Sequence, residues 1–182
     1  MLKGLKLHTH NITAVVTVAD DGGSSGILRS DLGMLAPGDV RNCVSALAEV
    51  DPVMGELLNF RFKDGSLKGH SLGNLFLAAL NETSSSFDEA VKKFSHLTGV
   101  VGTVYPVTNE SVTLSALLED GRLIEGESHI GVHHDGPKNG IVKLMVNPEK
   151  PKAVDGVIKA LEKADIIVLG PGSLYTSIIP NL

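Results

Sequence analysis

The sequence is poor in cysteine and in aromatic residues, and each shortage excludes a class of protein. Its single cysteine, Cys43, can form neither an internal disulfide nor a cysteine-based zinc site, which excludes a disulfide-stabilised secreted domain. Aromatic residues make up 4% of the chain and tryptophan is absent, so there is little material on which a flat cofactor ring could stack. Long apolar runs are missing too. The run at residues 166–169 is far shorter than the roughly 18 residues that cross a bilayer.

A surplus of positive charge is also missing. The chain has 16 basic and 21 acidic residues and a net charge of -5 at pH 7, which argues against a protein that grips the nucleic-acid backbone. Its N-terminus lacks the cationic, apolar and small-residue pattern of a signal peptide. The composition, 42% hydrophobic, and a length close to that of one domain predict a globular protein of the cytoplasm with one domain, residues 1–182.

The order of the apolar segments predicts an α/β fold. Residues 12–18 are rich in β-branched side chains and almost continuously apolar, which is typical of a parallel strand covered on both faces. Residues 165–169 (DIIVL) predict a second such strand. Between them, helical periodicity gives way to alternating segments that turn at Asp120-Gly121, as a hairpin does. We therefore expect an α/β sheet with a small β-rich insertion.

Four helices are predicted from periodicity and capping residues. One follows Asp39, the expected N-cap, and a second covers residues 71–80. The Ser86-to-Glu89 pattern is a capping box that opens a third, amphipathic helix. The last is expected over residues 152–163.

Glycine-rich turns follow both predicted buried strands, at residues 22–26 and 170–173. If the strands are parallel, both turns lie at the same edge of the sheet, where ligands of such sheets bind. Free amides there, together with the positive end of a following helix, suit a phosphate group. Nearby hydroxyls could donate to the same group: Ser24, Ser25, Ser173, Thr176 and Ser177. Neither turn has the spacing of a dinucleotide or P-loop motif, so ordinary strand-to-helix turns explain the pattern equally well.

Charged residues beside the first glycine-rich turn could bind a ligand or a metal ion. Adjacent residues such as Asp20 and Asp21 diverge on leaving a strand, so one can face a ligand while the other caps or turns. A Mg²⁺ ligand, a ribose acceptor and a general base are possible roles, beside an Asp-Gly turn with no ligand. Arg29 and Arg41 could bind phosphate in a bidentate manner or form surface salt bridges.

Histidines occur in two further places. His70, Ser71 and Asn74 put three polar groups at a predicted helix N-terminus, and a plain N-cap accounts for Ser71 alone. The pair His133–His134 has no second ligand pair at a diagnostic spacing, which favours a solvated loop over a metal site. Cys43 lies on the apolar side of its helix, where packing explains it.

Five segments together resemble one known family. They are VTVADDGGSSG, LRSDLGMLAPGDVRNCVSALAE, GHSLGNLFLAAL, TVYPVTNESVTLSALLEDG and VLGPGSLYTSIIPNL. On these segments the chain resembles the gluconeogenesis factor family of the YvcK type, which shares a superfamily with the CofD-like phospho-lactate transferases of deazaflavin coenzyme synthesis. The resemblance implies a Rossmann-like α/β fold with a mostly parallel sheet, helices on both faces and a small β-hairpin insertion.

The resemblance also implies a function. Members of this family are nucleotide-binding regulatory proteins of the bacterial cytoplasm, which bind UDP-sugars such as UDP-N-acetylglucosamine. They are needed for growth and normal cell shape on gluconeogenic carbon sources, and no reaction is established for them. The alternative is a Mg²⁺-dependent transferase that moves a phospho-lactate group from a guanosine diphosphate donor to a deazaflavin. The blocks DDGGSSG and PGDVRN follow the regulatory pattern and favour the first function.

Matching positions give the residues that the family would use. The implied ligand-binding residues are Asp20, Asp21, Gly22, Gly23, Ser24, Gly26, Arg29, Asp39, Arg41, Asn42, His70, Ser71, Asn74, Gly172, Ser173, Tyr175 and Thr176. No catalytic residue, metal ligand or firm cofactor is implied, and Mg²⁺ belongs to the alternative only. Nucleic acid and a membrane span are not expected as partners, whereas a homo-oligomer stays open. Family members begin with a strand and a glycine-rich phosphate loop, so residues 1–182 are expected to lack that segment and a C-terminal part.

Overall fold

The computed structural model describes residues 1–133 and 140–182, except the side chain of His133. His134, of the histidine pair predicted to lie in a solvated loop, is outside the described residues. The elements are α1 (Leu2–Leu5), β1 (Thr13–Val16), α2 (Gly23–Leu32), α3 (Gly38–Leu47), α4 (Pro52–Asn59), α5 (Leu72–Glu82), α6 (Phe87–Leu97), β2 (Thr103–Pro106), β3 (Thr113–Leu118), β4 (Leu123–Glu125), α7 (Glu127–His133), β5 (Ile141–Asn147) and α8 (Asp155–Lys163). A π-helical turn, Leu174–Ile178, and a short 3₁₀ turn, Ile179–Asn181, follow α8.

A parallel pair of strands forms the centre of the α/β part. β1 pairs with β2 in parallel, with Thr13 opposite Thr103 and Val16 opposite Pro106. Helix α3 packs against both strands, and α6 packs against β2 and α5. Parallel neighbours need a crossover, and the helices between β1 and β2 supply it. The predicted α/β class is therefore confirmed.

The second sheet is antiparallel, in the order β4–β3–β5. β3 and β4 form the predicted hairpin, whose turn has Gly121 at φ +85° and an Asp120 carboxylate that accepts the Arg122 amide at 3.0 Å. Strand β5 adds a third strand on the other side of β3. The expected β-rich insertion is thus a three-stranded sheet.

One hydrophobic core joins the two sheets. It includes residues of β1, α3, α5, α6, β3 and α7. The side chains of Leu77, Phe94, Leu114 and Ile130 are fully buried within it. The alternation of β3, with Leu114, Ala116 and Leu118 buried, is what directs that strand's apolar face to this core.

The predicted second buried strand at residues 165–169 is wrong. No strand within the described residues pairs with this segment, and Ile166 is 80% exposed. Ile and Val favour an extended chain, but burial requires a neighbouring strand and a covering helix, which composition does not supply.

The helices differ from the predictions in several places. Helix α3 begins at Gly38 after Pro37, so Asp39 lies in the first turn and is not the N-cap. Helix α8 begins at Asp155, three residues later than predicted. Helix α4 is not among the predicted helices, although Asp51 caps it and Pro52 occupies its first position, as is common at helix starts. No helix within the described residues is long and apolar enough to cross a membrane.

Candidate functional site

The two aspartates that follow β1 diverge, as expected. The Asp20 carboxylate accepts the Gly22 amide at 2.9 Å, which closes a local turn. The Asp21 carboxylate accepts the amides of Glu127 at 2.9 Å and Ser128 at 2.8 Å, and so caps helix α7 from 106 residues away. Asp21 therefore ties the turn after β1 to the end of the antiparallel sheet.

The glycine-rich turn runs directly into helix α2. Its N-cap is Gly22, which has no side chain to bond the first amides of the helix. A Cβ at Gly26 would lie 2.1 Å from the carbonyl oxygen of Asp21, so this position can hold only glycine without backbone movement. The close approach brings the Asp20–Asp21 pair directly over the first turn of α2.

Arg29 supports this turn from behind. Its guanidinium donates to the carbonyl oxygen of Asp20 at 3.1 Å and to that of Val112 at 2.8 Å. Because these donors serve the backbone, Arg29 positions the turn, and the second bond links it to the start of β3. Its predicted contact with a ligand phosphate would require these bonds to be exchanged.

A buried polar network lies behind the first turn of α2. The Ser24 hydroxyl is 3.0 Å from Nδ1 of His70 and accepts a hydrogen bond from the side-chain nitrogen Nδ2 of Asn74 at 3.1 Å. Nε of Arg41 donates to the Asn74 side-chain oxygen at 3.3 Å. These four side chains are each less than 8% exposed. The Ser71 hydroxyl caps α5 by accepting a hydrogen bond from the backbone N–H of Asn74 at 3.2 Å, so the predicted N-cap is confirmed.

Carboxyl groups gather on the other side of the turn. Burial is the main factor that raises the pKa of Asp39, and the nearby charge of Asp20 raises that pKa further. Burial also raises the pKa of Glu127, although the Thr176 hydroxyl donates to this carboxylate; the charges of Asp20, Asp21 and Asp39 add to the rise. The four carboxyl groups therefore face a common region, and the charge of Asp20 disfavours the ionised forms of Asp39 and Glu127 there.

The second glycine-rich turn reaches the same region. Thr176, in the π-helical turn, is buried and bonds the Glu127 carboxylate, while the Glu127 amide bonds Asp21. The two predicted turns are thus connected through one residue. The Ser173 hydroxyl caps the π-helical turn by accepting the Thr176 amide at 3.4 Å.

The predicted site residues fall into two groups. Those brought together around the turn after β1 are Asp20, Asp21, Gly22, Ser24, Gly26, Arg29, Asp39, Arg41, His70, Ser71, Asn74 and Thr176. Those more exposed at its margin are Gly23, Asn42, Gly172, Ser173 and Tyr175, of which Tyr175 is half-buried.

Glu127 is the residue that sequence reasoning missed. It follows Gly126, whose φ of +96° marks a tight turn before α7. The Gly-Glu-Ser pattern could have indicated a helix start, but no spacing in the sequence connects it with Asp21 or Thr176. Within the described residues, no group of three or more His, Cys, Asp or Glu side chains is arranged to hold a metal ion.

A separate cleft lies elsewhere on the protein. It measures about 800 Å³ between α6, β2 and the start of α8, and no predicted site residue lines it. Lys92 and Lys152 face Asp88, Glu110 and Asp155 across it, so its charges are mixed. We place the candidate site at the turn after β1, where buried polar groups converge, because converging polar groups define a binding site better than volume does.

Comparison with known proteins agrees with this fold. A relative from Thermoanaerobacterium thermosulfurigenes is 57% identical over all 182 residues of the chain, which is 56% of its own length. The gluconeogenesis factor of Bacillus subtilis is 47% identical over 185 aligned residues, again 56% of its length. The crystal structure of a Bacillus halodurans protein superposes with a TM-score of 0.94 at 45% identity, covering 99% of this chain and 57% of that one. The chain therefore spans about half the length of the curated relatives that it matches.

One family profile covers the whole chain. The family described as 2-phospho-L-lactate transferase CofD matches residues 1–182. This match, together with the gluconeogenesis factors among the relatives, agrees with the resemblance found in the sequence. The chain belongs to the CofD family.

Proposed function

We propose that this chain is the nucleotide-sugar-binding part of a regulatory protein of the gluconeogenesis factor type. Its ligand is a UDP-sugar such as UDP-N-acetylglucosamine, and its role lies in gluconeogenic growth and cell shape in the cytoplasm. The names of the relatives from Bacillus subtilis and Halalkalibacterium halodurans, both gluconeogenesis factors, support this role.

The observation that carries the proposal is the uncapped start of α2 beside a buried polar network. The first amides of a helix have no partner within the helix, and among the described residues no side chain caps those of α2. Ser24 and His70 lie against this turn and are already held by other groups. Free amides, the positive end of a ten-residue helix and fixed side chains together suit a diphosphate.

The carboxyl groups near the turn are compatible with an anionic ligand. The raised pKa values of Asp39 and Glu127 mean that each carries less negative charge at a given pH than an ordinary carboxyl. Burial and mutual repulsion are the causes. Asp20 and Asp21 also use their carboxylate oxygens on backbone amides, which offsets part of their charge.

A second candidate is a transferase acting on a phospho-lactate group. The family description, 2-phospho-L-lactate transferase, favours it. It requires a guanosine diphosphate donor, a deazaflavin acceptor and Mg²⁺. The small number of aromatic side chains, five Phe and two Tyr, offers little for stacking a deazaflavin ring.

Thermal unfolding of the full chain distinguishes the two. UDP-N-acetylglucosamine, GDP and a deazaflavin are titrated separately, with and without Mg²⁺. A ligand at 100 times its dissociation constant stabilises the folded state by about 2.7 kcal/mol. We expect this effect from the uridine compound; Mg²⁺-dependent stabilisation by GDP instead supports the transferase.

Two variants test the place of binding. Asp21→Ala and Asn74→Ala should lose the response to UDP-N-acetylglucosamine, because each removes a group that fixes the turn. Asp51→Ala is the matched control, since Asp51 caps the start of helix α4 by the same type of bond and contacts neither the turn nor the polar network. A response that survives in both site variants contradicts the proposed site.

A further inference from the structure

The buried side chains behind the turn after β1 form a chain of hydrogen bonds in which each side chain donates to the next. It runs from Arg41 through Asn74 and Ser24 to His70. We propose that this relay fixes the tautomer of the His70 ring with its proton on Nε2, so that the ring offers an N–H donor to a phosphate oxygen of the ligand. The contact with a ligand phosphate rests on the proposed function. The position of the proton on His70 in the ligand-free protein does not.

The first step fixes the orientation of the Asn74 amide. A guanidinium can only donate, so the Asn74 atom 3.3 Å from Nε of Arg41 must be the oxygen. A second bond, from Nη1 of Arg41 to the Asn59 oxygen at 2.8 Å, holds the guanidinium in place. The Asn74 NH₂ group therefore faces Ser24, and the amide cannot rotate by 180° without placing two donors against each other.

The second step fixes the Ser24 proton. The Asn74 NH₂ group donates to the Ser24 oxygen, which leaves the serine proton free to donate. Within the described residues, the unused acceptor near this hydroxyl is Nδ1 of His70 at 3.0 Å. If Nδ1 carried the proton instead, the serine proton would have no acceptor, and an unsatisfied buried hydroxyl is disfavoured. The arrangement that satisfies all groups has an unprotonated Nδ1.

The third step concerns the far side of the His70 ring. A neutral imidazole with an unprotonated Nδ1 carries its proton on Nε2. Nε2 has no hydrogen-bond partner within the described residues, and it is not among the fully buried unpartnered atoms. His70 thus ends the relay with an accessible donor. An N–H group binds an oxyanion and has no lone pair for a metal ion, so the relay selects an anionic ligand at this position.

Nitrogen-15 NMR of the ligand-free full chain tests the relay directly. The two ring nitrogens of a neutral histidine resonate far apart according to which one is protonated. We expect His70 to show a protonated Nε2 and an unprotonated Nδ1. A wild-type spectrum with the proton on Nδ1 overturns the proposal.

Two charge-matched variants separate the relay from general electrostatics. In Asn74→Asp the new carboxylate accepts hydrogen bonds from both Arg41 and the Ser24 hydroxyl. The Ser24 proton then points to residue 74, and the Ser24 oxygen is left to accept a bond from Nδ1 of His70. We therefore expect Nδ1 to become protonated. Asn59→Asp puts the same charge on the same guanidinium outside the relay and should keep the wild-type pattern. An unprotonated Nδ1 in Asn74→Asp, or the same change in both variants, contradicts the relay. If Asn74→Asp does not fold, Ser24→Ala replaces it: without the bridging hydroxyl, both nitrogens should appear partly protonated.

Addition of UDP-N-acetylglucosamine tests the ligand part. We expect the Nε2 resonance of wild-type His70 to shift while the proton stays on Nε2. His70→Ala should weaken binding by about 10-fold, the effect of losing one well-placed hydrogen bond. Binding that leaves the Nε2 resonance unmoved overturns the contact with phosphate. Absence of any binding contradicts the proposed function, while the ligand-free spectra still decide the relay.

Discussion

Gly26 shows how a single missing side chain allows the turn after β1 to form. An added Cβ would meet the carbonyl oxygen of Asp21 at 2.1 Å, which is backbone and cannot rotate away. We expect Gly26→Ala to lower the free energy of unfolding by about 1–3 kcal/mol, as overpacking does, and to weaken ligand binding by displacing Asp21. Chemical denaturation and the thermal titration measure the two effects.

The control for this substitution is Gly55→Ala in helix α4. The nearest atom to a Cβ there is a Val50 methyl at 3.8 Å, an ordinary contact distance. Alanine favours a helix over glycine by roughly 0.5–1 kcal/mol, so this variant should be as stable as wild type or more stable. Equal destabilisation by both variants would contradict the role given to Gly26.

Asp39 makes stability depend on pH. Burial, with the charge of Asp20 adding to it, raises its pKa in the folded protein, so the folded state binds its proton more tightly than the unfolded state. Such a group contributes its stability below its unfolded pKa, and that contribution is lost as the pH rises through the folded pKa. We therefore expect Asp39→Asn to be more stable than wild type at neutral pH.

The test is the difference in the free energy of unfolding between wild type and Asp39→Asn, measured as a function of pH. Denaturation curves from about pH 3 upwards should show the advantage of Asp39→Asn growing above the pKa of an aspartate in an unfolded chain, about 3.9, and levelling off above the raised pKa of the folded protein. Asp64→Asn, a change at an exposed residue, serves as the control for removing one charge. An advantage that does not vary with pH would exclude this explanation.

Helix α7 depends on a cap from a distant part of the chain. Asp21 accepts two of its first amides, so Asp21→Asn removes the charge and one acceptor from this end of α7. We expect a loss of about 1 kcal/mol of stability, typical of a lost cap, and faster amide hydrogen exchange in residues 127–133. Asp51→Ala should speed exchange in α4 and leave α7 unchanged. Unaltered exchange in α7 of Asp21→Asn would show that the cap is not needed.

Local signals were sufficient for elements that carry their own caps. Ser71 and Ser86 bond amides three residues later, and helices α5 and α6 begin where these serines predict. The hairpin at Asp120-Gly121 was predictable for the same reason. A helix was expected after the first glycine-rich turn, but the bounds of α2 were not predicted. Its N-cap is a glycine, and it is held by contacts of Ser24 with α5 and of Arg29 with the loop before β3.

At the scale of the molecule, the position of the core predicts which apolar residues matter. Leu77 is fully buried, so Leu77→Ala should cost about 2–5 kcal/mol. Ile167, also in a strongly apolar run, is 63% exposed, and Ile167→Ser should change the stability of the isolated chain by less than about 0.5 kcal/mol. Chemical denaturation of both variants checks this. A large loss for Ile167→Ser would show that residues 165–169 form part of the core, as their composition predicts.

Four features could be predicted from the sequence alone: the α/β class, the helices with serine caps, the hairpin and the residue types at the two glycine-rich turns. These features depend on periodicity, on β-branched composition and on contacts within a few residues. Tertiary structure alone decided that Asp21 caps α7, that Glu127 joins both turns and that residues 165–169 stay exposed. Each of these depends on partners far away along the chain or on the absence of a pairing strand. Such relations leave no periodic pattern in one sequence, because they are set by how the elements pack and not by their local preferences.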